Sequence, residues 1–508
     1  MEDRNISSDS YLPFSPNEFN NIENKIKSKY AKLIQISDIE KSRILINGIY
    51  IVSFIKNVLS AAFLFKSLAE RGIKPEFGKI NTHLLKLYKF YTDDRVTFSI
   101  RQKTENFTAR KYIKKIVYKD YFNILQNFRV FNKDAAYIDY QSSRMQLSDF
   151  ASVKLNKKPK IIDLNSIQIA ESKTHKNDIS EITDNLLKLL QELSVDLGLK
   201  LSKKISGNCR MIFEHHFTYC YNVSDRYNDL KLKYNIFISG ALNTVNKRTF
   251  ADVIRNREGE VHVLMHGHPF VHKNDTLAYL DLSLSTHFYL YSKIAAECME
   301  QIIKDFPAPN DNSPKILYYQ KTQKQVQNKR TISCVSSEDT KKIMFIGGVT
   351  RNTFQVNSYV YPNYVNAYQE YKIIDELRKR KINVIYKNRP EQREFSKADF
   401  AYFEDVKQVF TVFEKIEDLP LNILLYSTRT TLLSYLIKTD RNIIILDLEN
   451  NLLCDTMKKI LENRVYFISI KFDYERSEII IDNSELELAL KDYKTKRSHW
   501  LKISNEFI

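Results

Sequence analysis

The stretch "YNIFISGALNTVNKRTFADVIRNREGEVHVLMHG", residues 234–267, indicates the fold of this chain. Two short apolar runs, "NIFIS" and "VHVLM", flank a segment with helical spacing, and each run ends close to a glycine. Apolar runs that alternate with helices at short spacing are typical of parallel strands joined by crossover helices. The stretch therefore predicts a β-α-β unit, whose ligands would bind at the carboxyl ends of the strands.

The same alternation continues along the chain. "THFYLYS" and "KIAAECMEQIIKDF" supply a further strand and helix, and a second series runs from "KIMFIGG" at residue 342 to "NIIILDL" at residue 448. Between the two series, "PAPNDNSP" and a polar basic stretch interrupt the pattern. We therefore predict an α/β fold of two Rossmann-like domains that face a central cleft.

The length of 508 residues exceeds what one hydrophobic core usually organises, which is about 250–300 residues. Within the first domain we expect a strand at "RILINGIYIVSFI", residues 43–55, and an amphipathic helix at "DISEITDNLLKLLQEL", residues 178–193. The predicted division is an N-terminal extension (1–40), a first domain (41–305) with an insertion at about 85–205, a linker (306–340), a second domain (341–480) and a C-terminal helix (481–508).

Composition narrows the class of protein. Hydrophobic residues make up 43 % of the chain, which is too many for a disordered protein. The acidic, polar start does not resemble a secretory signal, and the five cysteines are scattered, so we expect a cytoplasmic protein. The net charge of +17 favours binding to an anionic partner, such as the inner face of a membrane. A nucleic-acid-binding protein is one alternative, although no basic-aromatic recognition motif is present.

Four of the ten histidines lie between residues 262 and 272. Strand alternation places His262, Leu264 and His266 on one face. A His-x-x-x-His zinc motif needs a helix, which Gly267 and Pro269 prevent here. Because we expect no cysteine or carboxylate at ligand spacing, we predict no metal site and assign His262 to packing.

His266 is the main candidate for catalysis, because it stands at the carboxyl end of a strand, where a histidine can act as general base. The alternative is a histidine that only caps the turn by hydrogen bonding. His268 and His272 are candidates for contact with an acceptor. In "FEHHF", Glu214 is a second candidate base, and a place on a helix surface is its alternative.

Three segments that follow strands of the second domain contain residues suited to binding a phosphate group. They are "GGVTRN", "YKNRP" and "YSTRTT", which supply glycines, cations and hydroxyl groups. Helix capping alone is the alternative for the hydroxyl groups. The candidate phosphate-binding residues are Gly347, Gly348, Arg351, Lys387, Arg389, Ser427, Thr428 and Thr430.

Two Rossmann-like halves, a His-Gly after a first-domain strand and a Ser-Thr late in the second domain resemble the GT-B glycosyltransferases of bacterial surface polysaccharides. More narrowly, the arrangement is similar to CDP-glycerol-dependent teichoic acid polymerases and CMP-sugar-dependent capsule enzymes. The resemblance implies that His266 serves catalysis or the acceptor and that Ser427 and Thr428 bind donor phosphate. In place of the second-domain His-Pro of this group, the chain has Arg389-Pro390, and arginine cannot donate a proton as imidazole does.

The resemblance implies a transferase that moves a sugar or a polyol phosphate from a nucleotide-activated donor to a surface glycan. The donor would bind the second domain, and an anionic or lipid-linked acceptor would bind the first. No Asp-x-Asp motif and no dinucleotide or P-loop motif is present, so we expect neither a metal-dependent donor site nor a cofactor. A nucleotide-sugar epimerase shares this fold and is the alternative enzyme.

Overall fold

Two parallel sheets with helices packed on them make up the described part of the chain. The structure is a computed structural model. It describes residues 16–70, 135–139, 144–164, 175–265, 271, 281–305, 313–319, 341–347, 363–387, 406–409, 420–426, 431–437, 439, 441–448, 453–473, 478–491 and 496.

In the described residues, the first sheet has six strands, in the order β2-β1-β3-β4-β5-β6. They are β1 (Ala135–Asp139), β2 (Lys158–Ile162), β3 (Ile236–Ser239), β4 (Glu260–Leu264), β5 (His287–Leu290) and β6 (Lys315–Tyr318). All neighbouring pairs are parallel. The predicted β-α-β unit is confirmed as β3, a helix and β4, which pair side by side.

Helices cover both faces of this sheet. The helices of the first domain are α1 (Pro16–Ile36), α2 (Ile39–Asn47), α3 (Ile51–Glu70), α4 (Arg144–Asp149), α5 (Lys176–Asp196), α6 (Lys203–Asn228), α7 (Val245–Asn256) and α8 (Lys293–Asp305). On one face, α4 and a π-helical turn at 150–154 pack Leu147 and Phe150 against Ile138, Leu264 and Tyr289. The main hydrophobic core lies on the other face, where Val261 and Val263 of β4 point. Burial on both faces explains why the central strand β3 is mostly apolar.

The second sheet, as far as the structure describes it, has seven strands, in the order β13-β12-β11-β10-β7-β8-β9. They are β7 (Lys342–Ile346), β8 (Asn383–Lys387), β9 (Lys407–Val409), β10 (Asn422–Leu425), β11 (Asn442–Leu448), β12 (Tyr466–Asp473) and β13 (Glu478–Ile481). All pairs are parallel except β12 with β13. Without the antiparallel edge strand, this is the 3-2-1-4-5-6 order of Rossmann sheets. The predicted α/β fold with two Rossmann-like domains is confirmed.

Helices also cover both faces of the second sheet. The helices of this domain are α9 (Asn363–Lys379), α10 (Thr431–Leu436), α11 (Asp455–Glu462) and α12 (Asn483–Lys491). On one face, Ile373 and Leu377 of α9 and Leu486 of α12 pack against the strands. Residues of α10 and α11 lie on the other face, in a core that continues into the first domain.

The two domains contact each other directly through α8 and α11. The thiol sulfur of Cys298 on α8 lies 2.9 Å from that of Cys454, the residue before α11. The backbone N–H of Cys454 donates a hydrogen bond to the Val271 carbonyl oxygen at 3.0 Å. The Val271 N–H in turn lies 3.1 Å from the Met457 sulfur. Backbone and side chains therefore join the domains at this point.

The predicted strand at 43–55 is wrong, because this stretch forms parts of α2 and α3. A short apolar run without clear periodicity fits a buried helix as well as a strand. Asp38 begins α2 by accepting a hydrogen bond from the Lys41 N–H, and α2 ends at Gly48. A Cβ atom at Gly48 would lie 2.8 Å from the Phe217 ring, so glycine allows α6 to pack closely against this turn.

No single helix in the described part of the chain is long and apolar enough to cross a membrane. Residues 39–47 and 51–63 pass that test only as a pair, by length and composition, with a bend of 64° between them. Residues of both segments, such as Leu45 and Leu59, are fully buried in the main core.

Three segments that we expected to form an extension, an insertion and a linker contribute directly to the first domain. Ile26 and Tyr30 of α1, which lies within the expected extension, are buried in the main core. The expected insertion contains β1, β2 and α5, and α5 confirms the amphipathic helix predicted at 178–193. The expected linker contains β6, which pairs with β5. These strands are short and lie toward the sheet edges, so their sequence signal is weak.

Candidate functional site

The second sheet changes its winding direction between β7 and β10. From β7 the chain runs outward to β8 and β9, and it then returns to β10 on the opposite side of β7. In open α/β sheets, ligands bind outside the carboxyl ends of the strands at such a switch point. The strands end side by side, because Ile346 is in register with both Lys387 and Leu425. This edge is the candidate ligand site of the second domain.

Gly347 directly follows β7, and the space around it admits no larger residue. A Cβ atom here would lie 2.2 Å from the Tyr386 hydroxyl oxygen and 2.5 Å from Glu370 Oε2. Both distances are well inside normal contact, so the neighbouring side chains would have to move. Glycine therefore lets α9 and β8 approach the end of β7 closely.

Two buried tyrosines form hydrogen bonds next to Gly347. The Tyr386 hydroxyl donates to the Glu370 carboxylate, and the Tyr426 hydroxyl donates to Gln369 Oε1 at 2.5 Å. Burial and then the charge of Glu370 raise the pKa of both tyrosines well above the ordinary value. Both phenol groups therefore stay protonated at neutral pH and act as hydrogen-bond donors.

Lys387 brings a positive charge to the same edge. It is the last residue of β8, as the sequence predicted, and only 8 % of it is exposed. Taking an ammonium group out of water costs free energy unless polar or anionic groups surround it. The place of Lys387 at the carboxyl end of β8 is the edge at which α/β sheets bind anionic ligands such as phosphate groups.

The other residues predicted to bind phosphate lie outside the described residues. They are Gly348, Arg351, Arg389, Ser427, Thr428 and Thr430. Each segment that contains them begins just after a described strand end, at Gly347, Lys387 or Tyr426. Topology thus brings the starts of the three segments to one edge, and the roles of the residues within them stay predictions.

Three candidate histidines of the first domain, His266, His268 and His272, follow β4 in the sequence. Met265 ends the described strand region, and its N–H donates a hydrogen bond to the Tyr289 carbonyl oxygen at 2.8 Å. His266, His268 and His272 lie outside the described residues, so their assigned roles stay predictions.

Glu214, the second candidate base, lies on α6. Its side chain is 45 % exposed and pairs with Arg210 at 3.5 Å, one helical turn away. Arg210 also pairs with Asp184 on α5. These contacts fit the helix-surface interpretation of Glu214, and its use as a base remains a prediction.

A second group of polar side chains lies at the amino end of the first sheet. Glu260 and His262 lie on β4, and His287 is the first residue of β5. The two histidines are in register, and their rings stack with centroids 4.5 Å apart and planes at 5°. His262 Nε2 lies 2.9 Å from Glu260 Oε2. One ligand atom from each of the three residues lies within 4.8 Å of the others.

Hydrogen bonding fixes the protonation of His262. Because the Glu260 carboxylate only accepts, Nε2 carries the proton in this arrangement, and Nδ1 accepts from the Tyr289 hydroxyl at 3.2 Å. Burial lowers the pKa of His262 to about 4, although the hydrogen bond to Glu260 opposes this shift. The ring is therefore neutral at pH 7. Its assignment to packing is consistent with its exposed fraction of 2 %.

Spacing along the chain did not reveal this group. The expectation that no carboxylate lies at ligand spacing is wrong, because Glu260 is two residues before His262 on the same face of β4. His287 is 25 positions from His262 in sequence but is its direct neighbour on the next strand. A Glu-x-His pattern at a strand start, followed by a second strand that begins with histidine, was the available signal.

No family model and no curated protein matches the chain. Among solved structures, the chain is similar to a putative UDP-N-acetylglucosamine 2-epimerase from Listeria monocytogenes, with 9 % identity and a TM-score of 0.34. The match covers 74 % of this chain and 93 % of that one. The fold class stated above therefore rests on the order and direction of the strands in the two sheets.

Proposed function

We propose that this protein is a transferase that moves a sugar or polyol phosphate from a nucleotide-activated donor to a bacterial surface glycan. The switch point between β7 and β10 is the observation that carries the proposal. There a cation and a glycine stand at adjacent strand ends, in the position where α/β sheets bind nucleotides. The donor phosphates would lie at this edge of the second sheet.

Lys387 is the described residue best placed to meet those phosphates. Arg351 and Arg389 would add guanidinium groups, which grip phosphate oxygens in pairs. Ser427, Thr428 and Thr430 would supply hydroxyl groups from the segment after β10. Gly347 and Gly348 would let the backbone approach the ligand closely, as glycines do near phosphates.

The acceptor would bind the first domain, where the chain leaves β4. His266 would take the proton from the attacking hydroxyl group, and His268 and His272 would position the acceptor. Glu214 is the alternative base. Replacing His266 with alanine should lower turnover by about 10²-fold, the usual contribution of a general base, with donor affinity nearly unchanged. His215→Ala, at an exposed position on α6, is the control for removal of a histidine.

The acceptor is expected to be anionic or lipid-linked. The net charge of +17 favours contact between the protein and the anionic inner face of a membrane. The leaving phosphate would be neutralised by protein groups, so chelators should leave transfer largely unchanged. Loss of activity with EDTA and recovery with a divalent ion would contradict this part of the proposal.

Calorimetric titration of CMP, CDP, UDP and GDP tests the donor site. At least one nucleotide should bind the wild type, and Lys387→Met and Arg389→Ala should each weaken it by roughly 1.5–3 kcal/mol, the usual contribution of a charged hydrogen bond. Lys379→Met is the matched control, because this α9 lysine is 65 % exposed. If no nucleotide binds, or if all variants bind equally, the donor site is misplaced. Turnover of a nucleotide sugar without an acceptor would instead identify an epimerase.

A further inference from the structure

We infer that Glu260, His262 and His287 form a binding site for a divalent transition-metal ion, with zinc as the preferred ion. The site lies at the amino end of β4 and β5, in the first domain. It is independent of the proposed transferase site, which belongs to the carboxyl ends of the strands. Two imidazole nitrogens and one carboxylate oxygen make up the ligand set.

The geometry already approaches that of a shared ion. Ligand atoms around one tetrahedral zinc lie about 3.4 Å apart when the bonds are about 2.1 Å long. The three ligand atoms here lie within 4.8 Å of one another, so they need to close by no more than about 1.4 Å. His262 Nε2 and Glu260 Oε2 are 2.9 Å apart. The half-buried His287 ring, which stacks on His262, would have to rotate out of the stack to bring the third ligand to the ion.

Neighbouring hydroxyl groups leave the required nitrogen atoms able to bind. The Thr286 hydroxyl donates its proton to the Val261 carbonyl oxygen at 3.0 Å. It can therefore only accept from His287 Nδ1, which lies 3.0 Å away. The Nδ1 proton places the lone pair of a neutral His287 ring on Nε2. Metal ligands of this type usually have such a partner on the second ring nitrogen.

His262 has the corresponding arrangement. When a metal replaces the proton on Nε2, Nδ1 takes a proton and donates it to the Tyr289 oxygen, which lies 3.2 Å away. The ring proton thus moves from Nε2 to Nδ1 with no net release, and binding should weaken as the pH falls because protonated ligands cannot bind a metal. The Phe150 ring lies beside His262 and limits the access of water from the protein side.

The chemistry of the three residues selects the ion. Imidazole nitrogen with a single carboxylate suits zinc and its transition-metal neighbours, whereas magnesium and calcium prefer oxygen ligands. Three protein ligands leave a fourth tetrahedral position for water. Glu260 is 53 % exposed, which gives solvent ions a route to the site. Lys157 and Lys315 lie close enough to affect the pKa of Glu260 and His287, so we expect weaker binding than at a closed four-ligand site.

Titration of the metal-free full chain with zinc chloride, followed by calorimetry, tests the site. The wild type should bind zinc at this site, while Glu260→Gln and His287→Gln should each lower the affinity about tenfold or more. His215→Ala is the matched control and should bind as the wild type does. These variants avoid the buried His262, whose replacement risks misfolding, and circular dichroism checks that each is folded.

Cobalt substitution gives a second measurement that does not depend on heat signals. Bound Co²⁺ should produce visible absorption in the wild type and in His215→Ala, and this absorption should be lost in His287→Gln. An excess of magnesium should not displace the ion. If the wild type binds no zinc, or if Glu260→Gln and His287→Gln keep wild-type affinity, the inference is wrong. The second result would assign the binding to histidines elsewhere, such as those after β4.

Discussion

The two groups of polar side chains described above lie at opposite ends of their sheets. In the second sheet, Tyr386 and Tyr426 lie at the carboxyl ends of β8 and β10. In the first sheet, Glu260 and His287 are the first residues of β4 and β5. Carboxyl ends are where α/β sheets bind substrates, whereas amino ends usually serve stability. The two sheets of this chain, although of one fold class, therefore present chemically different side chains at their carboxyl and amino ends.

The two groups also differ in their access to solvent. Glu370 is fully buried, and its contacts with Gly347 and Tyr386 leave no spare volume. In the group at the amino end of the first sheet, His262 is buried, His287 is half-buried and Glu260 extends into solvent. Changes at the second sheet should therefore cost more free energy of unfolding than changes at the first.

The largest effect is expected for Gly347→Ala. The new methyl group would collide with the Tyr386 hydroxyl and the Glu370 carboxylate, so their buried hydrogen bond would be disturbed. Overpacking together with this disturbance should lower the free energy of unfolding by about 3 kcal/mol or more. Urea denaturation measures the change.

Gly207→Ala is the control for that substitution. Gly207 lies within α6, and no atom lies within 4 Å of a Cβ atom added there. Alanine is favoured over glycine in a helix, so this variant should be more stable by roughly 0.5–1 kcal/mol. Equal stability of Gly347→Ala and wild type would show that the end of β7 is not as tightly packed as described.

Tyr386→Phe should have the next largest effect. It removes the hydroxyl group that donates to the buried Glu370 carboxylate, at a cost of about 1.5–3 kcal/mol. Tyr318→Phe is the matched control, because Tyr318 is 49 % exposed on β6, and it should change stability by less than about 0.5 kcal/mol. If the two variants lose similar amounts of stability, the buried Tyr386 hydroxyl group contributes no more than the exposed Tyr318 hydroxyl group does.

Much of the fold could be predicted from local sequence, as two strands of the second sheet show. "KIMFI" and "NIIIL" are continuously apolar because both faces of their sheet are covered, and this pattern is legible without a structure. The stretch at 43–55 is equally apolar, but burial in the core of helices gives the same signal as burial in a sheet. Apolar composition alone therefore did not distinguish buried helices from buried strands.

The sites were less predictable, because they depend on contacts between distant parts of the chain. Lys387 was identified since a strand end is a local feature. The need for glycine at Gly347 comes from Glu370 on α9 and Tyr386 on β8, which no local pattern contains. The approach of His287 to His262 likewise requires the register of β4 with β5. Sequence patterns gave the strand ends, and strand pairing brought the side chains together.

The pH dependence of stability reports on the first sheet. His262 has a pKa of about 4 in the folded chain and 6.5 as its ordinary value, so the unfolded chain binds more protons between these pH values. Stability from this group is therefore present above pH 6.5 and declines as the pH falls toward 4. Between pH 7 and pH 5.5, the loss should be about 1 kcal/mol.

Urea denaturation of the full chain with a chelator present measures this dependence. His215→Ala should keep the wild-type profile, because His215 is exposed on α6. His262→Asn, if it folds, should lose the contribution of this group. A wild-type profile that is flat over this range would show that His262 is better hydrated than its burial suggests.

The smallest effect is expected for Glu260→Gln in the presence of a chelator. Burial raises the pKa of Glu260, but the hydrogen bond from His262 and nearby positive groups, among them Lys157, together lower it below its ordinary value, so the carboxylate is ionised at neutral pH. Because the side chain is 53 % exposed, the loss of this charge should reduce stability by only about 0.5 kcal/mol. Without the chelator, zinc should stabilise the wild type more than this variant, since the folded wild type binds the ion more tightly. Thermal denaturation with and without zinc separates the two contributions. A stability loss of several kcal/mol under chelation would mean that this end of the first sheet is as closed as the end of β7, and the contrast between the two sheets would fail.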